Sequence, residues 1–138
     1  MTNSTTAGLI TKQSSYSAAE TISRFKDSVK AHGGTVFTEI DHAAAAAKAG
    51  ILLRGRTVIM FGNPKGGTPL MQQAPTLAID LPSKALVWED DDGVVWLTYN
   101  SGKYMENAIY ARHGLAVKTG AHDYMERLLE DASDHSTR

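Results

Sequence analysis

The most informative stretch of the chain is an apolar run that ends in a turn containing glycine and proline. Residues 56–61 (Arg-Thr-Val-Ile-Met-Phe) are mainly strand-forming, and Gly62, Asn63, Pro64 and Lys65 follow them. A short apolar run bounded by turn residues is typical of a buried strand that delivers a loop to the surface. The pattern therefore predicts a central strand with a sharply shaped loop at its end.

The chain before this strand alternates between strand-like and helix-like patterns. Ser17 and Glu20 form a capping box, in which side chains satisfy the first backbone N–H groups of a helix. Asp41 is placed to cap a second, alanine-rich helix that Gly50 ends. In chain order, the patterns predict an edge strand at 9–15, a helix at 18–32, a strand at 35–40 and a short helix at 43–47.

The chain after the central strand contains a hairpin signal. The acidic turn 90–92 followed by Gly93 separates two alternating apolar runs, and glycine accepts the positive φ that such a turn requires. Trp88 and Trp96 lie on these runs and would either pair across the hairpin or line a surface. The patterns predict a helix that opens at Thr68-Pro69 and ends before Pro75, strands at 84–89 and 94–100, and helices at 103–112 and 122–132.

This order is neither strict strand–helix alternation nor all-β. It predicts an α+β fold, a single compact domain in which helices pack on one mixed sheet of about five strands that includes the hairpin. A length of 138 residues suits one domain with its own core. We expect a flexible N-terminus over residues 1–7, the domain over 8–132 and a polar tail over 133–138.

Composition excludes several classes of function. Fourteen basic and fifteen acidic residues give a net charge of -1, so no overall field attracts nucleic acid or an anionic membrane. The chain has no cysteine, which removes disulfides, thiolate metal sites and cysteine nucleophiles. Its five histidines lack the spacing of known metal motifs, and we predict no metal and no cofactor. The N-terminus lacks the pattern of a signal peptide and no apolar run reaches membrane-spanning length, so the prediction is a cytoplasmic protein.

Three spaced segments resemble the DUF302 family, which is also called TT1751-like. They are Phe61-Gly62-Asn63-Pro64-Lys65, then Asp80-Leu81-Pro82, and then the acidic hairpin with Gly93 and Tyr99. The resemblance covers about residues 8–112 and implies a small α+β fold, found alone or attached to other domains in bacteria and archaea, with homodimers expected. It carries no established reaction. The family-like positions are Gly62, Asn63, Pro64, Asp80, Leu81, Pro82 and Tyr99, and we assign a structural role in the motif to Phe61, Gly62, Pro64, Leu81, Pro82 and Gly93.

The candidate ligand-binding residues lie on and around the loop that follows the central strand. Lys65 has the charge to attract an anion, while Asn63 and the amides of Gly66 and Gly67 supply hydrogen-bond donors. The spacing is not that of a P-loop, and a purely structural turn is the alternative. The full set of candidates is Arg56, Asn63, Lys65, Asp80 and Tyr99.

Two of these candidates have a structural alternative as well as a functional one. Arg56 either reaches a bound anion or pairs with a carboxylate such as Glu89. Asp80 either holds the turn before Pro82 through backbone amides or acts as a catalytic carboxylate with a partner such as Glu39, Glu89 or Tyr99.

Two functional hypotheses follow from these residues. The first is a dimeric module that binds either a small molecule, for which an anion is the candidate, or a protein partner near Asn63, Lys65 and Asp80. The alternative is a small hydrolase or isomerase-type enzyme that uses Asp80 or Glu89 with Tyr99 or Lys65. A pocket that joins the loop after the central strand to Asp80 and Tyr99 would favour ligand binding, whereas an apolar dimer surface that includes Trp88 or Trp96 without such a pocket would favour assembly. The enzyme hypothesis requires its groups within hydrogen-bond reach, with perturbed pKa values, in a concave site.

Overall fold

One antiparallel sheet organises the fold. The computed structural model describes residues 2–4, 8–117 and 121–133. Six strands lie in the order β1-β2-β6-β5-β4-β3, and each described neighbouring pair is antiparallel. The strands are β1 (Thr2–Ser4), β2 (Leu9–Gln13), β3 (Thr35–Asp41), β4 (Arg56–Gly62), β5 (Ser83–Glu89) and β6 (Val95–Asn100).

The first two helices begin at the caps that the sequence indicates. Ser17 accepts a hydrogen bond from the Glu20 N–H at 3.1 Å, and Asp41 accepts one from the Ala44 N–H at 2.9 Å, which confirms both predicted caps. The helices are α1 (Ala18–Ala31), α2 (His42–Lys48), α3 (Pro64–Gln73), α4 (Gly102–Tyr104) with its π-helical continuation (Met105–Tyr110), and α5 (Ala121–Ser133), and a 3-10 segment (Pro75–Ile79) follows α3.

The main core lies between one face of the sheet and helices α1 and α5. Along β4, alternate residues are buried, and Ile59 and Phe61 on that face are almost fully enclosed. Phe25 of α1 meets Phe61 edge to face, with ring centroids 5.1 Å apart. Leu128 of α5 is fully buried in the same core. The central strand is therefore confirmed, and its other face points away from α1 and α5.

The hairpin between β5 and β6 forms as the sequence predicts. Gly93 has a φ of +80°, and the Asp90 carboxylate accepts hydrogen bonds from the N–H groups of Asp92 and Val94. Trp88 and Trp96 are directly opposite in the register, and their rings stack with centroids 6.3 Å apart. Of the two alternatives for the tryptophans, pairing across the hairpin is the one observed.

The α+β class is confirmed, and the six described strands agree with the expected sheet of about five, but one feature of the predicted sheet is wrong. The described pairings are antiparallel, where a mixed sheet was expected. A period-2 pattern indicates a strand without its direction, so the direction is decided by pairing partners far along the chain. β2, expected at an edge, has β1 on its outer side.

The start of α3 also differs from the prediction. The helix begins at Pro64, not at Thr68-Pro69, and Asn63 is its N-cap, with Oδ1 accepting the Lys65 N–H at 3.0 Å. Asn63 and Pro64 are already a favourable cap and first position, so the helix forms five residues earlier than expected. Pro69 lies inside the helix, where its ring nitrogen cannot donate to the Lys65 carbonyl. The predicted end before Pro75 is correct.

The ends of the chain are described only in part. Residues 1 and 5–7 of the predicted flexible N-terminus lie outside the described residues, while Thr2–Ser4 pair with β2. Of the predicted polar tail, residues 134–138 lie outside the described residues, and Ser133 is a buried last residue of α5.

Candidate functional site

A cluster of polar side chains ties the 3-10 segment to the end of the helix that begins with α4. Asp80 caps the 3-10 segment, and Arg112 and His113 lie where the last turn of that helix ends. Arg112 donates from Nε to Asp80 Oδ2 at 2.8 Å and from Nη2 to Oδ1 at 2.5 Å. His113 bridges the segment, because its Nε2 lies 2.5 Å from Asp80 Oδ2 and its Nδ1 lies 2.7 Å from the Thr76 hydroxyl.

This cluster keeps Asp80 ionised. The hydrogen bond from Arg112, followed by that with His113, lowers the pKa of the Asp80 carboxyl from its ordinary 3.8 to about 2, while partial desolvation opposes the change. The same hydrogen bond raises the pKa of the Arg112 guanidinium. The structural alternative for Asp80 is thus wrong in its detail, since the carboxylate bonds two side chains rather than turn amides.

Sequence reasoning missed Arg112, His113 and Thr76 as partners of Asp80. Arg112 and His113 lie 32 and 33 residues from Asp80, and neither spacing carries a local signal. The weak clue available was a pair of basic residues at the end of the helix predicted over 103–112, where they favour a C-terminus. Among the described side chains, the Asp80 carboxylate bonds Arg112 and His113, and none of its three suggested partners contacts it, namely Glu39, Glu89 and Tyr99.

An apolar cleft lies beside the end of β4, on the sheet face opposite α1 and α5. Its volume is about 670 Å³, and its walls come from the sheet, from α3 and from the chain between the 3-10 segment and β5. Most of the exposed wall is carbon. The lining residues are Phe37, Thr38, Met60, Gly62, Asn63, Pro64, Gly66, Gly67, Leu70, Met71, Ala78, Leu81, Pro82, Ser83 and Tyr110.

The loop after β4 shapes this cleft rather than offering an anion site. The amides of Gly66 and Gly67 donate to the Asn63 carbonyl at 2.9 and 3.0 Å, so the donors expected for an anion are used within α3. A Cβ added at Gly67 would lie 3.5 Å from Leu81 Cδ1, an ordinary van der Waals distance, so Leu81 lies beside α3 at this position. Neither this cleft nor the cavity described next includes Lys65 in its wall.

A smaller and more polar cavity of about 240 Å³ adjoins the apolar cleft. It shares three wall residues with the cleft, namely Pro82, Ser83 and Tyr110. Its remaining walls are formed by Asp80, Lys84, Asn100, Gly102, Tyr104, Met105, Ile109 and Met125. The expected pocket is therefore present in part, because the two adjoining cavities connect the loop after β4 to Asp80.

Tyr99 is not part of either cavity. Its side chain lies on the helix-covered face of β6, is 3% exposed, and is paired in register with Ile10 and Ala85. Burial, and to a lesser extent the charge of Glu126, raises the pKa of Tyr99 to about 12. The expectation that Tyr99 and Asp80 share a pocket is wrong, since successive strand residues point to opposite faces and the cleft lies on the other side.

Arg56 lies at the far end of β4 from the cleft. Its Nη1 donates to three backbone carbonyls, those of Arg54 at 3.2 Å, Gly55 at 3.5 Å and Glu89 at 3.3 Å. Its guanidinium carbon also lies 6.0 Å from the centroid of the Trp88 ring. Arg56 therefore contacts Glu89, as predicted. It binds the backbone oxygen of Glu89, however, and not the carboxylate that was expected.

Three comparisons relate this chain to known proteins. The family model described as "Domain of unknown function DUF302" matches residues 10–132. A crystal structure of an uncharacterized conserved DUF302 protein from Bacillus stearothermophilus superimposes with a TM-score of 0.73 at 16% identity, covering 91% of this chain and 98% of that one. At that identity the likeness shows the fold.

The curated relatives are longer proteins. Fluoride-specific ion channel FluC 1 of Brucella suis biovar 1 (strain 1330) is 44% identical over 113 residues, which is 82% of this chain and 43% of the relative. The protein of the same name from Brucella abortus biovar 1 (strain 9-941) is 44% identical over 113 residues, and the match covers 40% of it. This chain thus spans about two-fifths of their length.

None of the helices within residues 8–117 and 121–133 is both long and apolar enough to cross a membrane.

Proposed function

Since this chain belongs to the DUF302 family, whose description assigns no function, we propose from its geometry that it is a binding module for a small, mainly apolar molecule. The binding site in this proposal is the apolar cleft between the end of β4, α3 and the 81–83 segment. The match to part of longer Brucella proteins supports a modular role, since a domain of this type occurs there joined to other sequence.

One observation carries the proposal. Five of the seven family-like positions meet at the wall of a single cleft, although they are up to 20 residues apart in the chain. A volume of about 670 Å³ lies within the range of roughly 300–1,000 Å³ of small-molecule sites. The family-like residues in the wall are Gly62, Asn63, Pro64, Leu81 and Pro82.

Titration with Nile red, a neutral apolar dye, tests the proposal. The wild-type chain should bind the dye saturably with one site per chain. Met71→Trp, which places a larger side chain in the cleft, should weaken binding at least about tenfold while thermal unfolding stays cooperative. Ile79→Ser is the matched control, because Ile79 is 79% exposed and does not line the cleft. Absent or non-saturable binding, or equal binding by the Met71 variant, would contradict the proposal.

The geometry supports the enzyme alternative less. A general base works best when its pKa lies near the operating pH, whereas Asp80 is an ion-paired carboxylate with a pKa of about 2. Tyr99 lies on the opposite sheet face, Lys65 lines neither cavity, and Glu89 is at the end of β5 away from Asp80.

A second role for the domain, self-assembly, is supported by a separate surface. None of residues 35–55 is buried, although they include the seven-residue helix α2. A helix of that length is unstable without tertiary packing. Apolar side chains on this surface are 36% to 98% exposed, and they are Phe37, Ile40, Ile51, Leu52 and Leu53.

A second copy of the chain is the partner that fits this surface. β3 is the last of the six described strands, and an edge strand pairs antiparallel with its own copy across a two-fold axis. Light scattering after gel filtration should therefore show a dimer for the wild type and a monomer for Leu52→Glu. Ile79→Glu, which changes a 79% exposed residue elsewhere, should remain dimeric. A monomeric wild type at concentrations of about 50 μM would exclude a stable dimer of this kind.

A further inference from the structure

The apolar cleft and the polar cavity beside it differ in chemistry, and a single ligand can satisfy both. We propose that the ligand is an anionic amphiphile whose hydrocarbon part occupies the cleft and whose negatively charged head group binds Lys84 in the polar cavity. This proposal rests on the proposed function and adds the chemical class of the ligand.

The two cavities are close enough for one molecule. Pro82, Ser83 and Tyr110 form walls of both. Met60 of β4 and Lys84 of β5 are directly opposite in the register, so their side chains leave the same sheet face about 5 Å apart. Met60 lines the apolar cleft and Lys84 lines the polar cavity. A chain that lies along Met60 therefore brings its end to Lys84.

The charge in the polar cavity favours an anion. The negative charge of Asp80 is matched by the two hydrogen bonds from Arg112. The Lys84 ammonium donates to the Pro82 carbonyl at 3.3 Å, which leaves two of its three N–H donors for another acceptor. Among the described residues, Lys84 lies in no salt bridge. An arriving carboxylate would thus meet an unmatched positive charge.

Polar groups around Lys84 can complete the recognition of a head group. The Ser83 hydroxyl, the Asn100 amide and the Tyr104 hydroxyl belong to side chains in the wall of the same cavity. All three are able to donate hydrogen bonds to a carboxylate oxygen. The cavity volume of about 240 Å³ suits a small head group rather than a second hydrocarbon chain.

Calorimetric titration of the full chain with matched eight-carbon ligands tests this inference. Octanoate should bind more tightly than octanol, and octyltrimethylammonium should bind most weakly. Each methylene added to the carboxylate should raise its affinity about fourfold until the cleft is filled, because burial of one methylene contributes about 0.8 kcal/mol.

The variant Lys84→Gln isolates the head-group contact. It should weaken octanoate binding about tenfold, the loss expected for one charge-assisted hydrogen bond, and leave octanol binding unchanged. Lys65→Gln is the matched control, since it removes the same charge outside both cavities. Lys84→Arg should restore the preference for octanoate over octanol.

The outcomes separate this inference from the function on which it rests. Equal binding of octanoate and octanol, or an equal loss of both in Lys84→Gln, would overturn the head-group assignment and leave the apolar site in place. If neither octanol nor Nile red binds, the proposed function fails and this inference fails with it.

Discussion

Replacement of Asp80 by Asn should destabilise the fold by about 1–2 kcal/mol at pH 7, because it removes the charge that Arg112 and His113 bind. Asn keeps the size of the side chain and changes its charge and hydrogen bonding. The carboxylate joins the 3-10 segment to the end of the helix that starts with α4, so its loss weakens the contact between two segments that are distant in sequence.

The magnitude follows from the pKa of Asp80. A decrease from 3.8 to about 2 corresponds to about 2.4 kcal/mol, at 1.36 kcal/mol per pKa unit, and this is an upper limit. The Arg112 side chain is 57% exposed, so solvent screens the pair, and exposed pairs contribute only about 0.2–1 kcal/mol. The Asp80 side chain is 15% exposed, and for this reason we place the expected value between the two limits.

The dependence on pH gives a sharper test. The pKa is lower in the folded state, so Asp80 stabilises the fold fully above about pH 4, and this stabilisation is lost as the pH falls from about 4 to 2. Urea unfolding of the wild type and of Asp80→Asn should therefore give a constant difference between pH 7 and 5 and a smaller one at pH 3. Asp27→Asn, on the exposed face of α1, should change stability by less than about 0.5 kcal/mol. A difference that is absent at pH 7, or that persists undiminished at pH 3, would refute the reasoning.

Three further predictions concern single residues. Leu128→Ala should cost about 2–5 kcal/mol in urea unfolding because Leu128 is fully buried, whereas Ile79→Ala, at a position that is 79% exposed, should cost less than about 0.5 kcal/mol. Tyr99 should ionise near pH 12 in an ultraviolet phenolate titration. Because its pKa is higher in the folded state, the stabilisation that its neutral form provides should be lost as the pH rises from about 10 to 12. Ionisation near pH 10 without unfolding would contradict the burial of this side chain. Gly8→Ala should lower the melting temperature by several degrees, because Gly8 has a φ of +81° and a Cβ there would lie 2.5 Å from the Tyr104 ring; an unchanged melting temperature would contradict this contact.

Elements with local signals could be predicted closely. The helix expected over 18–32 is observed at Ala18–Ala31, and the hairpin strands differ from the prediction by one residue at their starts. A capping box, an Asp-Gly turn and a period-2 run each depend on neighbours a few residues away, and these interactions persist whatever the rest of the chain does.

The start of α3 shows where local reasoning chooses wrongly between two signals. Asn63-Pro64 and Thr68-Pro69 both have the residue types of a cap followed by a first helical position. The sequence alone does not show which of the two caps starts the helix. Asn63-Pro64 gives the longer helix, but it places Pro69 inside that helix, where one backbone hydrogen bond is lost. In the structure, the helix starts early, and Gly66 and Gly67 of its first turn line the cleft together with Leu70 and Met71.

The candidate site was predicted in part. Of the five candidate residues, Asn63 lines the apolar cleft and Asp80 lines the polar cavity, while Arg56 and Lys65 line neither and Tyr99 lies on the other sheet face. The cleft itself has no local signature, since its walls come from four separate segments of the chain.

The sequence by itself determined most of the helices and strands, the hairpin and the family, because these depend on short-range hydrogen bonding, side-chain periodicity and spaced motifs. Only the tertiary structure decided which side chains meet. Strand pairing placed Lys84 opposite Met60 and turned Tyr99 into the core, and the helix that begins with α4 brought Arg112 to Asp80. Contacts of this kind depend on the register between distant strands, in which a shift of one residue moves every side chain to the opposite face.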